Sequence, residues 1–297
     1  MEVLKDSYNI IKCIGKGTFG TVYLTEDKNG NKYASKVEQK RESSRLLFEY
    51  KIYRTLFKDK KDENIGVPRI ISLIQTPTYN ILVMELLGKS LDALYNKYNK
   101  KFELNTVATL GIDIITLLEH IHKSGFIHRD IKPNNFLIGV NNNRNKVYLT
   151  DFGLSRKYNK NGKHIEFCAK KSLIGTLRYA SINMHMGIEP SRRDDMESVG
   201  YMLVYFLKGV LPWQGLKYDT ESGHIEKIGT IKMTTNLNKL CENIPHNFGE
   251  YIKLCRELKF EEEPNYNALR ECFMKVMTDN KFEMKYQWCD NAITDST

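Results

Sequence analysis

His128-Arg129-Asp130-Ile131-Lys132-Pro133-Asn134-Asn135 is the stretch that decides the fold of this chain. It has the form H-R-D-x-K-x-x-N, and Asp151-Phe152-Gly153 follows one short hairpin later. An Asp five residues before an Asn, with a second Asp beyond a strand, is the donor set that phosphoryl transfer from a metal nucleotide requires. Asp130 is placed to accept a proton from an attacking hydroxyl. The Asn135 amide oxygen and the Asp151 carboxylate are the expected ligands of Mg²⁺. An isolated H-R-D would say little, so the remaining chain has to supply a nucleotide cradle and a Lys–Glu pair in the right order.

Upstream, residues 8–36 alternate apolar and polar in short runs broken by glycines, the pattern of antiparallel strands. Residues 8–14 read as the first strand, and Gly15-Lys16-Gly17-Thr18-Phe19-Gly20-Thr21-Val22 as a turn leading into the second. Glycines let backbone amides close over phosphates without a Cβ in the way. A dinucleotide-binding unit would begin a helix after G-x-G-x-x-G; here a strand follows, beginning at Val22. Ile14, Gly15, Lys16, Gly17, Gly20 and Val22 are therefore expected to flank ATP. Asn29-Gly30 signals a hairpin, and the next strand ends in Tyr33-Ala34-Ser35-Lys36, a variant of V-A-I-K with Ser35 in place of Ile. Ala34 is expected to line the nucleotide and Lys36 to contact its α- and β-phosphates. Residues 45–57 then space Leu46, Phe48, Ile52, Tyr53 and Leu56 at helical intervals. Glu49 lies beside that stripe and is the expected partner of Lys36; Glu42, ahead of the stripe, is the alternative.

Two strands, 70–75 and 80–85, lead into Met84-Glu85-Leu86-Leu87-Gly88, a polar, glycine-ended connection suited to an adenine ring. An extended segment offers backbone C=O and N–H partners, here from Glu85 and Leu87, with Met84 guarding the pocket behind them. From Ser90 the periodicity turns helical. Ser90 is expected to cap a short helix, and Asn105 or Thr106 a long one burying Val107, Leu110, Ile114, Leu117, Leu118 and Ile121. A further helix begins at Arg192-Arg193-Asp194-Asp195 and is apolar nearly all round, which marks it as buried. Asp195 at its start is expected to accept backbone N–H groups of the His128–Asn135 loop.

The bulk properties agree with a folded chain of one large or two ordinary domains: 297 residues, 41% hydrophobic and 27% charged. The longest rich apolar stretch reads as 199–207, too short to span a membrane, so no membrane span is expected. Residues 1–6 lack a signal-peptide core, and Glu2 stands where N-myristoylation needs glycine. Six cysteines with no C-x-x-C pair argue against zinc and a disulfide framework, and point to a reducing cytoplasmic or nuclear setting. The net charge of +9 fits nucleic acid, anionic membrane or acidic proteins. No lysine run reaches five, which disfavours a nucleic-acid arm, whereas Lys157, Lys160, Lys163, Lys170 and Lys171 gather between Asp151 and Gly175.

Taken together, these motifs resemble the eukaryotic protein kinases. Gly175-Thr176-Leu177-Arg178-Tyr179-Ala180-Ser181-Ile182-Asn183 resembles the casein kinase I family, with Ser-Ile-Asn where most kinases have Ala-Pro-Glu. Gly187-Ile188-Glu189, Ser191-Arg192-Arg193-Asp194-Asp195 and Leu211-Pro212-Trp213-Gln214-Gly215-Leu216 extend the match, which covers roughly residues 8–288. The resemblance implies an α+β, bilobal kinase fold in a single domain over 1–297. Its N-terminal lobe (about 1–85) would hold an antiparallel β-sheet and one main helix. A hinge at about 85–89 would join it to a larger, mainly helical C-terminal lobe (about 90–292). It further implies MgATP, constitutive activity, and Ser/Thr specificity, which Lys132 supports. Substrates would be acidic or already phosphorylated proteins, met by a monomeric enzyme.

Two of the family's three anion-site positions carry over as Lys171 and Arg178. The third holds His224, inside Thr220-Glu221-Ser222-Gly223-His224, where the family has a lysine-rich run. This departure weakens the expectation of phosphate priming and would make anion binding pH-sensitive near neutrality; the alternative is a loop histidine touching nothing. Asn134 replaces a common Asp outside the metal ligands, and about nine residues follow Trp288, where related kinases often carry long restraining extensions. In the activation segment, Arg129 is expected near Ser172 and Thr176. Two other classes compete. A scaffold without catalysis would normally have lost Lys36, Asp130 or Asp151, and a charge-driven binder of nucleic acid or anionic lipid leaves the ordered motifs unexplained.

Overall fold

The structure, a computed structural model, describes residues 8–17, 20–57, 65–217 and 220–290. Thr18 and Phe19 of the glycine-rich stretch, and residues 1–6, lie outside the described residues. The chain divides into two compact units. One runs to Gly88 and takes in Leu137–Gly153; the other comprises Lys89–Phe136 and the chain from Leu154 onward.

In the first unit, among the described residues, five strands form one antiparallel sheet in the order β1-β2-β3-β5-β4. They are β1 (Tyr8–Gly17), β2 (Gly20–Asp27), β3 (Lys32–Gln39), β4 (Ile70–Gln75) and β5 (Tyr79–Glu85). Val37, Ile81 and Val83 are buried on one face beneath Tyr8, Ile10, Tyr23, Tyr33, Ile74 and Tyr79. Alternation along β3 sends Ala34, Lys36 and Glu38 to the opposite face. Helix α1 (Arg45–Leu56) buries Leu46, Glu49, Ile52, Tyr53 and Leu56, a stripe at helical spacing.

The glycine-rich stretch is more strand than turn. The ladder runs on past residue 14, pairing Gly15 with Val22 and Gly17 with Gly20. Gly20 has φ +146°, and a Cβ there would stand 2.4 Å from the Val37 carbonyl oxygen, so β2 can lie this close to β3 only with glycine. Ser35, the departure from V-A-I-K, shares a buried 2.7 Å hydrogen bond with the Thr25 hydroxyl on β2. The short strands β6 (Phe136–Ile138) and β7 (Val147–Leu149) and the Asp151-Phe152-Gly153 turn group with this unit. The reason is local bonding: Gly88 N donates to Ile138 O and Leu149 N to Gly66 O, each at 2.8 Å. The Phe152 ring also stands edge-on to Tyr53, 5.1 Å between centroids.

The second unit is mainly helical. It contains α2 (Leu91–Lys97), α3 (Leu104–Lys123), α4 (Ile182–His185), α5 (Arg192–Lys208), α6 (Glu221–Thr234), α7 (Leu237–Leu240), α8 (Asn247–Glu257) and α9 (Tyr266–Asp279). Ser90 caps α2 by accepting from Ala93 N. Helix α3 starts earlier than the sequence suggests, with Glu103 at the N-cap and no side-chain capping bond. The expected cap Thr106 lies inside the helix because its hydroxyl accepts from Gln287 N at 2.8 Å, while Gln287 Oε1 accepts from Glu103 N at 2.7 Å. By length and composition α3 is also apolar enough to cross a membrane, which corrects the choice of 199–207 as the richest apolar stretch. Its apolar window is 67% buried inside the protein, where α3 packs against α5 and α9. Helix α5 is buried from Asp194 to Phe206, as its sequence suggests; a Ser191–Asp194 capping box opens it, and Gly209 (φ 79°) ends it.

Candidate active site

The sheet register gathers the nucleotide-directed residues of the first unit. Val22 on β2 is the register partner of Lys36 on β3, and Ala34 is the partner of both Leu24 and Met84. Val22, Ala34 and Lys36 therefore share one face beneath the glycine-rich strands that carry Ile14, Gly15, Lys16, Gly17 and Gly20. Lys36 Nζ donates to Glu49 Oε2 at 2.7 Å and to Asp151 Oδ1 at 2.8 Å. Glu42 is exposed and lies ahead of α1, so the partner of Lys36 in the structure is Glu49. The other oxygen of Glu49 accepts from Tyr53 OH and from Phe152 N, each at 3.3 Å.

Burial by itself would lower the Lys36 pKa; the Glu49 and Asp151 carboxylates outweigh it and hold the ammonium charged well above its ordinary range. Asp151 has φ 65°, a left-handed conformation uncommon outside glycine and a mark of a site under constraint. Met84 is buried. The Glu85 N–H donates to Arg69 O at 2.9 Å, which leaves the donor's part toward a base to half-buried Leu87.

In the second unit Asp195 suspends the His128–Asn135 loop. Its carboxylate accepts from His128 N at 2.7 Å and Arg129 N at 2.8 Å, and meets His122 Nε2 at 3.1 Å. Burial pushes the Asp195 pKa up, but the His122 hydrogen bond, the two histidines and the His128 amide together hold it below the usual carboxylate value. Held this way, Arg129 takes φ 68°, and Asp130 comes to the centre of three donors. Lys132 Nζ reaches Asp130 Oδ2 at 2.6 Å, Thr176 Oγ1 donates to Oδ1 at 2.8 Å, and Asn135 Nδ2 donates to the Asp130 backbone oxygen at 2.8 Å. Gly175 permits the Thr176 contact: its φ is +87°, and a Cβ would lie 2.5 Å from Arg129 O.

Arg129 itself turns toward Glu189 (3.7 Å) and donates from Nε to Leu154 O at 2.7 Å. Buried Glu189 also meets Arg156 at 2.7 Å and Lys171 at 3.6 Å. The Arg129 backbone does lie beside the 172–176 segment, its carbonyl against Gly175, while its guanidinium faces Glu189 and the Thr176 hydroxyl bonds Asp130. The three expected anion-site residues have separate surroundings. Lys171 is exposed beside Glu189. The Arg178 guanidinium lies over the Tyr205 and Tyr179 rings at 5.1 and 5.8 Å. His224 is half-buried in the first turn of α6, behind the Thr220 cap, and is no loop residue.

Two residues whose tasks the sequence did not give matter here. One is Thr176. The other is Lys232 of α6, fully buried, whose Nζ donates to Leu177 O at 2.8 Å and Ala180 O at 2.6 Å beneath the rings of Tyr201 and Trp213. Trp213 Nε1 donates to Arg178 O at 2.7 Å, so the backbone on either side of Arg178 is tied down from below. A lone lysine in a helix reads as surface, and only the aromatic residues far from it in sequence reveal otherwise.

A charged lysine pinned between two carboxylates, and a carboxylate oriented by a lysine, a threonine and a taut loop, are what phosphoryl transfer to a hydroxyl demands. A family model described as the protein kinase domain matches residues 8–275, from β1 into α9, and the chain belongs to that family.

Proposed function

We propose that this protein kinase is specific for serine and threonine and of casein kinase I type, transferring the ATP γ-phosphoryl group to hydroxyls in acidic or already phosphorylated protein segments. The observation that carries the reading is Lys132 Nζ at 2.6 Å from Asp130, with the Thr176 hydroxyl on the other carboxylate oxygen. Asp130 orients the acceptor hydroxyl and takes its proton, and Lys132 offsets charge on the moving phosphoryl group. Lys36, set by Glu49, receives the α- and β-phosphates. Ile14, Val22, Ala34 and Met84 enclose the base, while the Glu85 carbonyl and the Leu87 backbone bond its edge.

The donors fit Mg²⁺. Asp151 offers a carboxylate, and Asn135, whose amide nitrogen is turned to the Asp130 carbonyl, offers an amide oxygen; both are hard ligands. When bound, Mg²⁺ neutralises phosphate charge. The whole chain serves as one catalytic domain in this reading. Lys171, Arg178 and His224 receive the acidic or phosphorylated flank of the substrate.

A peptide array with serine, threonine and tyrosine acceptors in neutral, acidic and primed series tests both points. Serine and threonine peptides with acidic flanks should lead, and primed peptides should outdo unprimed ones by a margin that His224→Ala reduces. Tyrosine acceptors of equal efficiency would overturn the specificity, and a margin unchanged in His224→Ala would remove His224 from the anion site.

A further inference from the structure

Glu38 lies two residues beyond Lys36 on the same face of β3, and nucleotide binding gives it no task. Its carboxylate, 8% exposed, accepts from the Ser44 hydroxyl through Oε2, and through Oε1 from the backbone N–H groups of Arg45 (3.0 Å) and Leu46 (3.3 Å). Ser44 is the N-cap of α1 and accepts from Leu47 N at 3.1 Å. Asn80 on β5, 1% exposed, donates from Nδ2 to Ser44 Oγ at 3.1 Å, and its Oδ1 accepts from Gln75 Nε2 on β4 at 3.2 Å. Two strands thus converge on the first turn of one helix, and a third braces Asn80. That helix has no acidic residue in its own first turn, so the negative charge its N-terminus favours comes from β3.

The spacing shows what the arrangement does. Glu38 and Lys36, two residues apart on a strand, are separated by about 6.6 Å along β3. Arg45 and Glu49, four residues apart on a helix, are separated by about 6 Å along α1. The two rises nearly match, so β3 holds α1 at two points: Glu38 at the start and Lys36 one turn later. We propose that Glu38, with Ser44 and Asn80, is a positioning group that sets α1 in the register where Glu49 meets Lys36, so that the helix needs no outside partner to be set. The inference rests on the protein kinase reaction and on Lys36 as its phosphate anchor.

Steady-state kinetics on the full chain test it, at a temperature where each variant is folded by circular dichroism. Glu38→Ala should lower kcat/KM for ATP about tenfold, the order expected when the acceptor for backbone N–H groups at a helix start is lost, and leave KM for peptide unchanged. Glu38→Gln keeps an oxygen for the two amides but loses the acceptor of the Ser44 proton, since Ser44 Oγ already accepts from Leu47 N and Asn80 Nδ2, so its loss should fall between those of Glu38→Ala and wild type. Ser44→Ala should show a milder loss, and Ser44→Thr, which retains the cap, little. Adding Glu38→Ala to Glu49→Gln should cost nothing further in residual activity, because both act through the Lys36 pair.

A lower melting temperature with unchanged kcat/KM for ATP in Glu38→Ala and Ser44→Ala would overturn the proposal, as would multiplying losses in the double variant. Should Glu38→Ala fail to fold, the Ser44→Ala and Ser44→Thr pair decides alone. A wild-type protein inactive on every peptide would instead count against the catalytic reading and leave these comparisons without a baseline, so the two failures are told apart.

Discussion

Asp130 has both carboxylate oxygens engaged by donors, Lys132 on one and Thr176 on the other. Asp130→Asn preserves shape and removes the base, so kcat should fall about 10²–10⁴-fold while calorimetry finds ATP binding unchanged. ATP affinity lost in parallel would move Asp130 out of the proton-transfer role. A second residue gives a pH signature. Burial and the neighbouring Lys232 charge push the His185 pKa down from 6.5 to about 4, against the pull of hydrogen bonds from its ring to backbone oxygens. Above pH 6.5 both folded and unfolded chains hold it neutral. As pH falls the unfolded chain takes the proton first, so stability should decline from about pH 6.5 to about pH 4, then level off. Chemical unfolding of wild type and His185→Gln across that range should show this part of the slope, on the order of 1–2 kcal/mol after screening, only in wild type. The meeting of Lys36 with Glu49 was legible in sequence because strand order and helical spacing bring them together. The tasks of Thr176, Glu38 and Lys232 were not, because each is acquired from partners brought in by other elements.

Among the elements, α1 and α5 were legible from their stripes, while the start of α3 was missed because a contact with Gln287, far along the chain, replaces a local cap. The glycine-rich stretch was read as a turn, yet the strand ladder carries through it, since glycine removes the side chains that would keep β2 from its neighbour. Packing between α3 and α9 gives a sharp test. A Cβ on Gly111 would stand 2.6 Å from the Phe273 ring, in a core with nowhere for that ring to go cheaply. Gly111→Ala should therefore destabilise by about 1–3 kcal/mol despite its gain in helix propensity, lowering the melting temperature by roughly 3–8 °C. Gly111→Ala with Phe273→Leu should recover part of that loss. An unchanged melting temperature in the single variant would show that the two helices part more readily than their geometry suggests.

For the molecule as a whole, the net charge of +9 bears on encounter with substrate more than on fold. Raising salt from 50 to 200 mM should raise KM for acidic peptides several-fold and leave kcat nearly constant, because screening acts on long-range attraction; a neutral peptide should show neither change. Composition made that charge legible but not its placement around Glu189, where Arg129, Arg156 and Lys171 meet a carboxylate of the chain itself. Lys232 has a consequence for anyone who labels this protein. Burial pushes its pKa down, and no solvent reaches it. An amine-reactive reagent will modify exposed lysines at once and Lys232 only when α6 lifts from the Leu177 and Ala180 carbonyls. Its labelling rate, followed by mass spectrometry, is a built-in clock for the opening of the segment around Arg178.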